Sequence, residues 1–182
     1  MEHPDTIDAM ANLAATYQKL RKYTQAQKLQ IQVLYARKRI LGVEHPYTIT
    51  VMANLAATYQ KLGKYKEAEK LETQLLDART RILGLEHPDT LDAIANAAAT
   101  YQKLRKYTEA ERLQIQVLDA RRRILGVEDP FTILAMENLA ATFRCLKKDA
   151  EAEKLVIQAQ EVKSRVPGAE VPYTIVTVAN PC

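Results

Sequence analysis

The chain of 182 residues has no tryptophan, only 5 glycines and 7 prolines, and no long apolar run. No stretch approaches the roughly 20 apolar residues that a membrane-spanning helix needs. The chain does not open on a charged segment followed by an apolar one, so no secretory signal is predicted. We therefore expect a soluble, cytoplasmic protein without a membrane partner.

The sequence does contain one stretch that is written four times. Laid under itself at a shift of 42, the first copy differs from the third at 8 of 42 positions and from the second at 13. A fixed period of this length indicates stacked units, each covering its neighbour's apolar face. The predicted repeats are residues 2–43, 44–85, 86–127 and 128–169, followed by a partial fifth repeat, 170–182, that caps the C-terminal end.

The cysteines follow no repeat. Cys145 and Cys182 occupy unrelated positions in the 42-residue pattern, so a disulfide framework is not expected and a reducing compartment is favoured.

The formal charge of +4 is unevenly distributed. Residues 2–43 contain seven basic and three acidic residues, whereas 128–169 contain six and seven. A nucleic-acid-binding protein would more often show a basic stripe with aromatic or glycine-rich segments between its cations. No nucleic-acid partner is therefore expected.

Each repeat is predicted to form two helices of about 17–18 residues. Pro4-Asp5-Thr6 is a helix-start signal, with the short polar side chains as caps, and Thr24 to Gln27 has capping-box spacing before a second helix. The step between the helices predicts a tight turn, because the second copy has Gly63 there. Apolar residues recur at helical spacing along both helices: Ile7, Met10, Leu13, Ala14, Tyr17 and Leu20, then Ala26, Leu29, Val33, Ala36 and Ile40.

The spacing Met10-x-x-Leu13-Ala14-x-x-Tyr17, followed by Ala26, resembles the tetratricopeptide (TPR) pattern, with Met at the place of its usual Trp. The 42-residue length and the LGxEHPxT junction resemble kinesin-light-chain-type TPRs, which also form arrays in fungal NB-ARC receptor proteins. The usual aromatic residue four places after the second-helix Ala is replaced by polar residues and one Val, at Gln30, Glu72, Gln114 and Val156. The resemblance implies an all-α, right-handed superhelical solenoid of antiparallel helix pairs.

The resemblance also places one row of first-helix residues on the concave surface. Four asparagines recur there, at Asn12, Asn54, Asn96 and Asn138, although Asn is a poor residue for the middle of a helix. They are either a ladder of amides for a bound peptide backbone, the role of this position in peptide-binding TPRs, or a duplicated feature that makes a structural hydrogen bond to the neighbouring repeat. Both readings stay open.

Beside the amides, the same surface is expected to carry small alanines and two further rows of polar residues. Lysines in one row would attract acidic groups. The simpler interpretation is that the lysines lie on a solvated helix face and that the alanines are there because Ala is a good helix former. The candidate groove residues, in addition to the asparagines, are Lys19, Lys61, Lys103, Asp8, Thr50 and Asp92.

The histidines do not suggest a metal site. His3, His45 and His87 recur once per repeat, and helices pack about 8–10 Å apart, so copies cannot share one ion. Helix capping or packing is the favoured role. Arginines at the end of each second helix are predicted to be surface charges that offset the helix dipole.

No catalytic set is present in the sequence. A phosphate loop and a Ser/His/Asp or Cys/His set are both missing, and the polar residues recur by translation, whereas an active site needs different groups at one point. We expect no enzyme and no cofactor. The predicted function is a protein-interaction module that binds a peptide or protein segment in the concave groove. The lysine row favours an acidic segment, and the resemblance implies the sensing array of a larger receptor. The alternative is a structural spacer or self-associating rod without a dedicated ligand. Weak head-to-tail association is predicted, strengthened by deleting residues 170–182.

Overall fold

The computed structural model describes residues 3–165. Within that range the chain forms eight helices and no strand, so the all-α prediction is confirmed. Each repeat holds a first helix of 16 residues and a second of 17 to 19. The partial fifth repeat predicted at 170–182 lies outside the described residues. The helices are α1 Pro4–Lys19, α2 Tyr23–Leu41, α3 Pro46–Lys61, α4 Tyr65–Leu83, α5 Pro88–Lys103, α6 Tyr107–Ile124, α7 Pro130–Cys145 and α8 Asp149–Arg165.

The chain divides within α5 into two compact units, Met1–Ala93 and Ile94–Cys182. In the first unit, α1 packs on α2, α2 on α3 and α3 on α4. In the second, α6 packs on α7 and α7 on α8. In each of these pairs a helix packs against the next one along the chain, as the short connections between them favour.

The first helix of a repeat begins with a Pro in its first turn and a side-chain cap before it. The cap is the histidine, because Nδ1 of His45 accepts a hydrogen bond from the backbone N–H of Tyr47 at 3.2 Å. His3 and His87 do the same, and in the fourth repeat Asp129 Oδ1 accepts from the N–H of Phe131 at 2.8 Å. The capping role expected for the histidines is confirmed, and the expected caps at Asp5 and Thr6 are wrong.

The second helices begin differently from the prediction. Lys22 precedes α2 without a side-chain cap hydrogen bond, so the capping box predicted at Thr24 is wrong. The tight turn before α2 is confirmed, since Arg21 has a φ of 56° and its equivalent Gly63 a φ of 71°. Three of the four turns hold a non-glycine residue in this left-handed region, which the hydrogen-bonded turn imposes.

Apolar stripes from both helices of a repeat form the core. In the first unit, Ile7 and Val33 pack in one cluster with Met52, Leu55 and Leu75, all at most 5% exposed. Burying a side chain of this size contributes about 1.5–3 kcal/mol relative to leaving it in water. This core therefore spans the junction between the first and second repeats, which holds the two helix pairs together.

The burial pattern corrects three sequence expectations. Leu13, expected to pack, is 44% exposed, whereas its equivalent Leu55 is 2% exposed. Ile40, at the end of its stripe, is 50% exposed. Arg37 and Arg121 are not surface charges, because they are only 9% and 3% exposed.

Cys145 also differs from expectation, because it is disulfide-bonded and not a reduced thiol. Among the helices of residues 3–165, none combines the length and the apolar character needed to cross a membrane.

Candidate peptide-binding surface

The side chains of α1 fall on three faces of the helix, because a residue turns by about 100° at each step. Ile7, Met10, Ala14 and Tyr17 face the core with α2. A second row, which we call the amide row, consists of Asp8, Asn12, Ala15 and Lys19 and of the residues 42, 84 and 126 places further on. All four residues of the amide row in α1 are exposed.

The amide row stays exposed along the next first helix. Thr50, Asn54, Ala57 and Lys61 of α3 are all exposed, and α1 and α3 touch directly through Gln18. The first unit therefore presents two amide rows side by side on adjoining helices. In α5, Asn96 and Lys103 are exposed and Asp92 is half-buried.

The amide row changes character in α7. Asn138 is half-buried, and Leu134, which stands at the position of Asp8, is fully buried. Cys145 replaces the lysine of the other repeats and is half-buried. The set of exposed Asn and Lys side chains is thus a property of α1, α3 and α5.

Asn54 and Asn138 each accept a hydrogen bond from the neighbouring repeat at the backbone oxygen. Nε2 of Gln18 donates to the backbone oxygen of Asn54 at 3.0 Å, and Nε2 of Gln102 to that of Asn138 at 3.4 Å. The side-chain amides of Asn12 and Asn54 make no hydrogen bond to another residue within 3–165. An exposed mid-helix Asn costs roughly 0.5 kcal/mol relative to Ala, and no bond within the described chain offsets it at these two positions.

The charge of the amide row in the first unit is positive. Arg37 lies against Asp8, with Nη2 at 2.8 Å from Oδ1, and so offsets the one acidic residue in the row. Neither Lys19 nor Lys61 forms an ion pair with another residue in 3–165. Two exposed ammonium groups therefore remain beside the amides of Asn12 and Asn54.

A buried polar seam joins consecutive first helices, and sequence reasoning missed it. Gln18 Nε2 donates to Thr58 Oγ1 at 2.7 Å, and Thr58 is fully buried. The second unit repeats the arrangement: Gln102 donates to Thr142 Oγ1, which donates to Gln114 Oε1 at 2.6 Å. Gln114 stands where TPRs carry an aromatic residue, so the polar substitution was the available signal.

The junction between repeats holds a second buried polar contact. Nη1 of Arg37 donates to the backbone oxygen of Tyr47 at 3.0 Å, and its guanidinium lies 5.1 Å from the Tyr47 ring centre. Arg121 makes the same two contacts with Phe131, at 3.0 and 5.5 Å. Charge-assisted bonds and cation–π contacts explain why these arginines are buried.

Other concave features of the structure lie apart from the amides. A cavity of about 220 Å³ lies beside Pro4, Ile40, Leu41 and Tyr47, and reaches the amide row only at Asp8. Another of about 280 Å³ lies beside Leu118, Arg122, Phe143 and Leu155 in the second unit. Within residues 3–165 no three His, Cys, Asp or Glu side chains converge as metal ligands.

Helix pairs that recur every 42 residues and pack one after another define a helical-repeat solenoid. The sequence profile of the tetratricopeptide repeat family matches residues 5–81 and 89–165, and the chain therefore belongs to that family.

The solved structures agree with the family and specify the kind of repeat. The chain is similar to a crystal structure of the Podosopora anserina putative kinesin light chain nearly identical TPR-like repeats, with 27% identity, a TM-score of 0.80, and 94% of this chain and 81% of that chain covered. BtubC (BKLC) from P. vanneervenii shares the fold at 19% identity and a TM-score of 0.83, over 100% of this chain and 72% of that one. No match was found among curated proteins. The repeats are thus TPRs of the kinesin-light-chain type.

Proposed function

We propose that the chain is a protein-interaction module that binds an extended, acidic segment of another protein along the amide rows of α1 and α3. TPR repeats generally mediate protein–protein interaction, and the proposal assigns that role to one surface. The observation that carries it is the exposure of Asn12 and Asn54, whose amides make no bond within the described chain. In a larger receptor, such a module would be the ligand-sensing array.

The physical basis is the match between the row and a peptide backbone. A side-chain amide offers two donors and one acceptor oxygen, which complement the N–H and C=O groups of an extended peptide. Ala15 and Ala57 are small and leave room for that backbone beside the amides. Lys19 and Lys61 favour acidic side chains, so the affinity is expected to fall as salt rises.

The test is a selection of peptides on the intact chain, followed by anisotropy titration of labelled binders. We expect acidic sequences to be enriched, and replacing both Asn12 and Asn54 by Ala to weaken their binding at least about tenfold. The same double variant is expected to be slightly more stable than the parent chain, because Ala is the better helix former. A structural role for the amides would instead lower the stability.

Matched controls separate the amide rows from general surface effects. Gln25→Ala removes an exposed amide from α2, and Lys70→Ala removes an exposed ammonium from α4; neither position belongs to an amide row. Both variants should bind as the parent does, whereas Lys61→Ala should bind more weakly and lose part of the salt dependence. The absence of any binder, or equal losses in the row and control variants, would contradict the proposal and favour a spacer role.

A further inference from the structure

One stripe of exposed side chains follows the length of α2. Its members lie three, seven, ten and fourteen residues beyond the first, so they share one side of the helix. We call this set the α2 stripe: Gln25, Lys28, Gln32, Tyr35 and Arg39. All five are exposed, Tyr35 to 68%, and Ile31 beside them is 42% exposed. The stripe therefore combines cations, amides and two apolar side chains in contact with solvent.

The exposure of this stripe does not depend on a neighbouring repeat. The residues 42, 84 and 126 places after Gln25, Lys28, Tyr35 and Arg39 are exposed as well, in α4, α6 and α8. The pair α1–α2 packs on α3 and leaves the equivalent stripe of α4 exposed. In the second unit, α7 packs on α6 and leaves its stripe exposed. A helix pair before or after a second helix thus leaves this side of it open.

The charge of the stripe distinguishes α2 from the other second helices. Where α2 has Gln25 and Tyr35, each of the others has two acidic residues. These are Glu67, Asp77, Glu109, Asp119, Glu151 and Glu161. The positions of Lys28 and Arg39 are basic in all four helices. The stripe therefore has two basic and two acidic residues in α4, α6 and α8, but two basic and no acidic residues in α2.

The first and third repeats isolate this difference, because they differ at only 8 of 42 positions. Three of the differences exchange one apolar residue for another, and two exchange Lys for Arg. The remaining three remove an acidic residue, at Gln25, Gln27 and Tyr35. Every charge difference between these two repeats therefore lies in α2.

The structure shows what replaces the acidic residue in the C-terminal half of the stripe. In α4, Nη2 of Arg81 lies 3.0 Å from Asp77 Oδ2. In α2 the guanidinium of the equivalent Arg39 lies 6.0 Å from the ring centre of Tyr35. A cation–π contact thus stands in the place of an ion pair, and it adds no negative charge.

The N-terminal half of α2 has also lost carboxylates. Nζ of Lys148 lies 2.6 Å from Glu111 Oε1 in the second unit, whereas Nζ of Lys64 lies 3.0 Å from the neutral amide oxygen of Gln27 in the first. Lys28 forms no ion pair with another residue in 3–165. The ammonium groups along this half of α2 are therefore not neutralised by the helix itself.

We propose that the α2 stripe binds an acidic amphipathic helix of another protein. Carboxylates on that helix would meet Lys28 and Arg39, which are eleven residues and so about 16 Å apart along α2. Its apolar side chains would pack on Ile31 and Tyr35 between the two cations.

The rounded surface of a single helix favours a helical occupant. A helix satisfies its own backbone N–H and C=O groups, so it can bind through side chains alone, whereas an extended segment needs partners for its backbone. The inference goes beyond the proposed function, because the amide rows belong to the first helices α1 and α3 and take an extended segment.

The probe is a fluorescein-labelled helical peptide with two glutamates eleven positions apart and two leucines between them. Its binding to the intact chain is followed by anisotropy, beside a control peptide with glutamines in place of the glutamates. The acidic peptide should bind at least about tenfold more tightly at low salt, and the difference should shrink as salt rises.

Reciprocal variants of the chain locate the site. Gln25→Glu combined with Tyr35→Asp restores the acidic residues of the third repeat and should weaken binding at least about tenfold. Its circular dichroism spectrum should match that of the parent, because α6 is helical with the same two residues. Glu109→Gln combined with Asp119→Tyr gives α6 the pattern of α2, so the number of peptides bound per chain should rise by one.

A variant of the amide rows is the matched control for the site. Asn12→Ala combined with Asn54→Ala should leave the affinity for the helical peptide unchanged, and a loss there would place the peptide on the amide rows instead. Equal affinity for the acidic and neutral peptides would overturn the proposal, as would unchanged binding in the α2 variant or no additional peptide on the α6 variant. Binding to vesicles of phosphatidylserine and phosphatidylcholine but not to the peptide would assign the stripe to a membrane surface and overturn it too.

Discussion

The same leucine occurs at one repeat position in α1, α3 and α7, and the structure predicts that its replacement by Ala has unequal effects. Leu55 and Leu139 are 2% and 3% exposed, so truncation removes buried methyl groups and leaves a cavity. Such changes cost about 2–5 kcal/mol, and we expect about 3 kcal/mol at each of these sites. Leu13 is 44% exposed, so less apolar area is lost, water can fill the gap, and about 1 kcal/mol is expected.

The measurement is urea unfolding of each variant, followed by far-UV circular dichroism at low protein concentration so that copies stay apart. Since each repeat contacts only its neighbours, the curves are fitted with a nearest-neighbour model, which assigns the loss to one interface. The three leucines have similar sequence surroundings, so each serves as a control for the others. A loss for Leu13→Ala as large as that for Leu55→Ala would refute the burial argument.

Three further predictions concern single groups. Thr58→Val should cost about 1–2 kcal/mol, because Gln18 loses a buried hydrogen-bond partner, whereas Thr16→Val on the exposed face should be near neutral in the same denaturation assay. His87→Asp should raise the stability by about 0.5 kcal/mol in thermal unfolding. Asp is the better capping residue, and its negative charge interacts favourably with the positive N-terminal end of the helix dipole. Unchanged stability would argue against the capping role of this position. Burial, and then the Glu67 charge, raise the pKa of Tyr59 above 10.0, so stability should fall as the pH rises from 10.0 through the higher folded-state pKa. Over that alkaline range, the free energy of unfolding should fall less with rising pH in Tyr59→Phe than in the parent chain.

Most of the helix layout was predictable from the sequence because its signals are local. The Pro that starts each first helix and the turn before each second helix, marked by Gly63 in one repeat, are signals that lie within a single repeat. Errors arose where two local signals competed for one role. His45 caps α3 although Asp or Thr is the commoner cap, and Thr24 makes no capping bond although its spacing fits a capping box.

The candidate surface was less predictable, because the side a residue faces depends on how helices pack. The sequence marked Asn54 as unusual, but it did not show that its backbone oxygen contacts Gln18 of the preceding repeat while the side-chain amide stays exposed. In the sequence, Gln114 stands out only because it replaces the aromatic residue of TPRs. Its role in a buried hydrogen-bond seam with Thr142 required the coordinates, since the two residues are 28 positions apart.

By itself, the sequence determined the all-α class, the 42-residue period and the family, because each is written in spacings that recur down the chain. The tertiary structure alone decided which copies of a residue are buried. Residues 10–20 and 52–62 have the same sequence, yet Leu13 is 44% exposed and Leu55 only 2%. The physical reason is that a face of one helix pair becomes buried only where another pair packs on it. The sequence of a single repeat does not show whether such a neighbour is present.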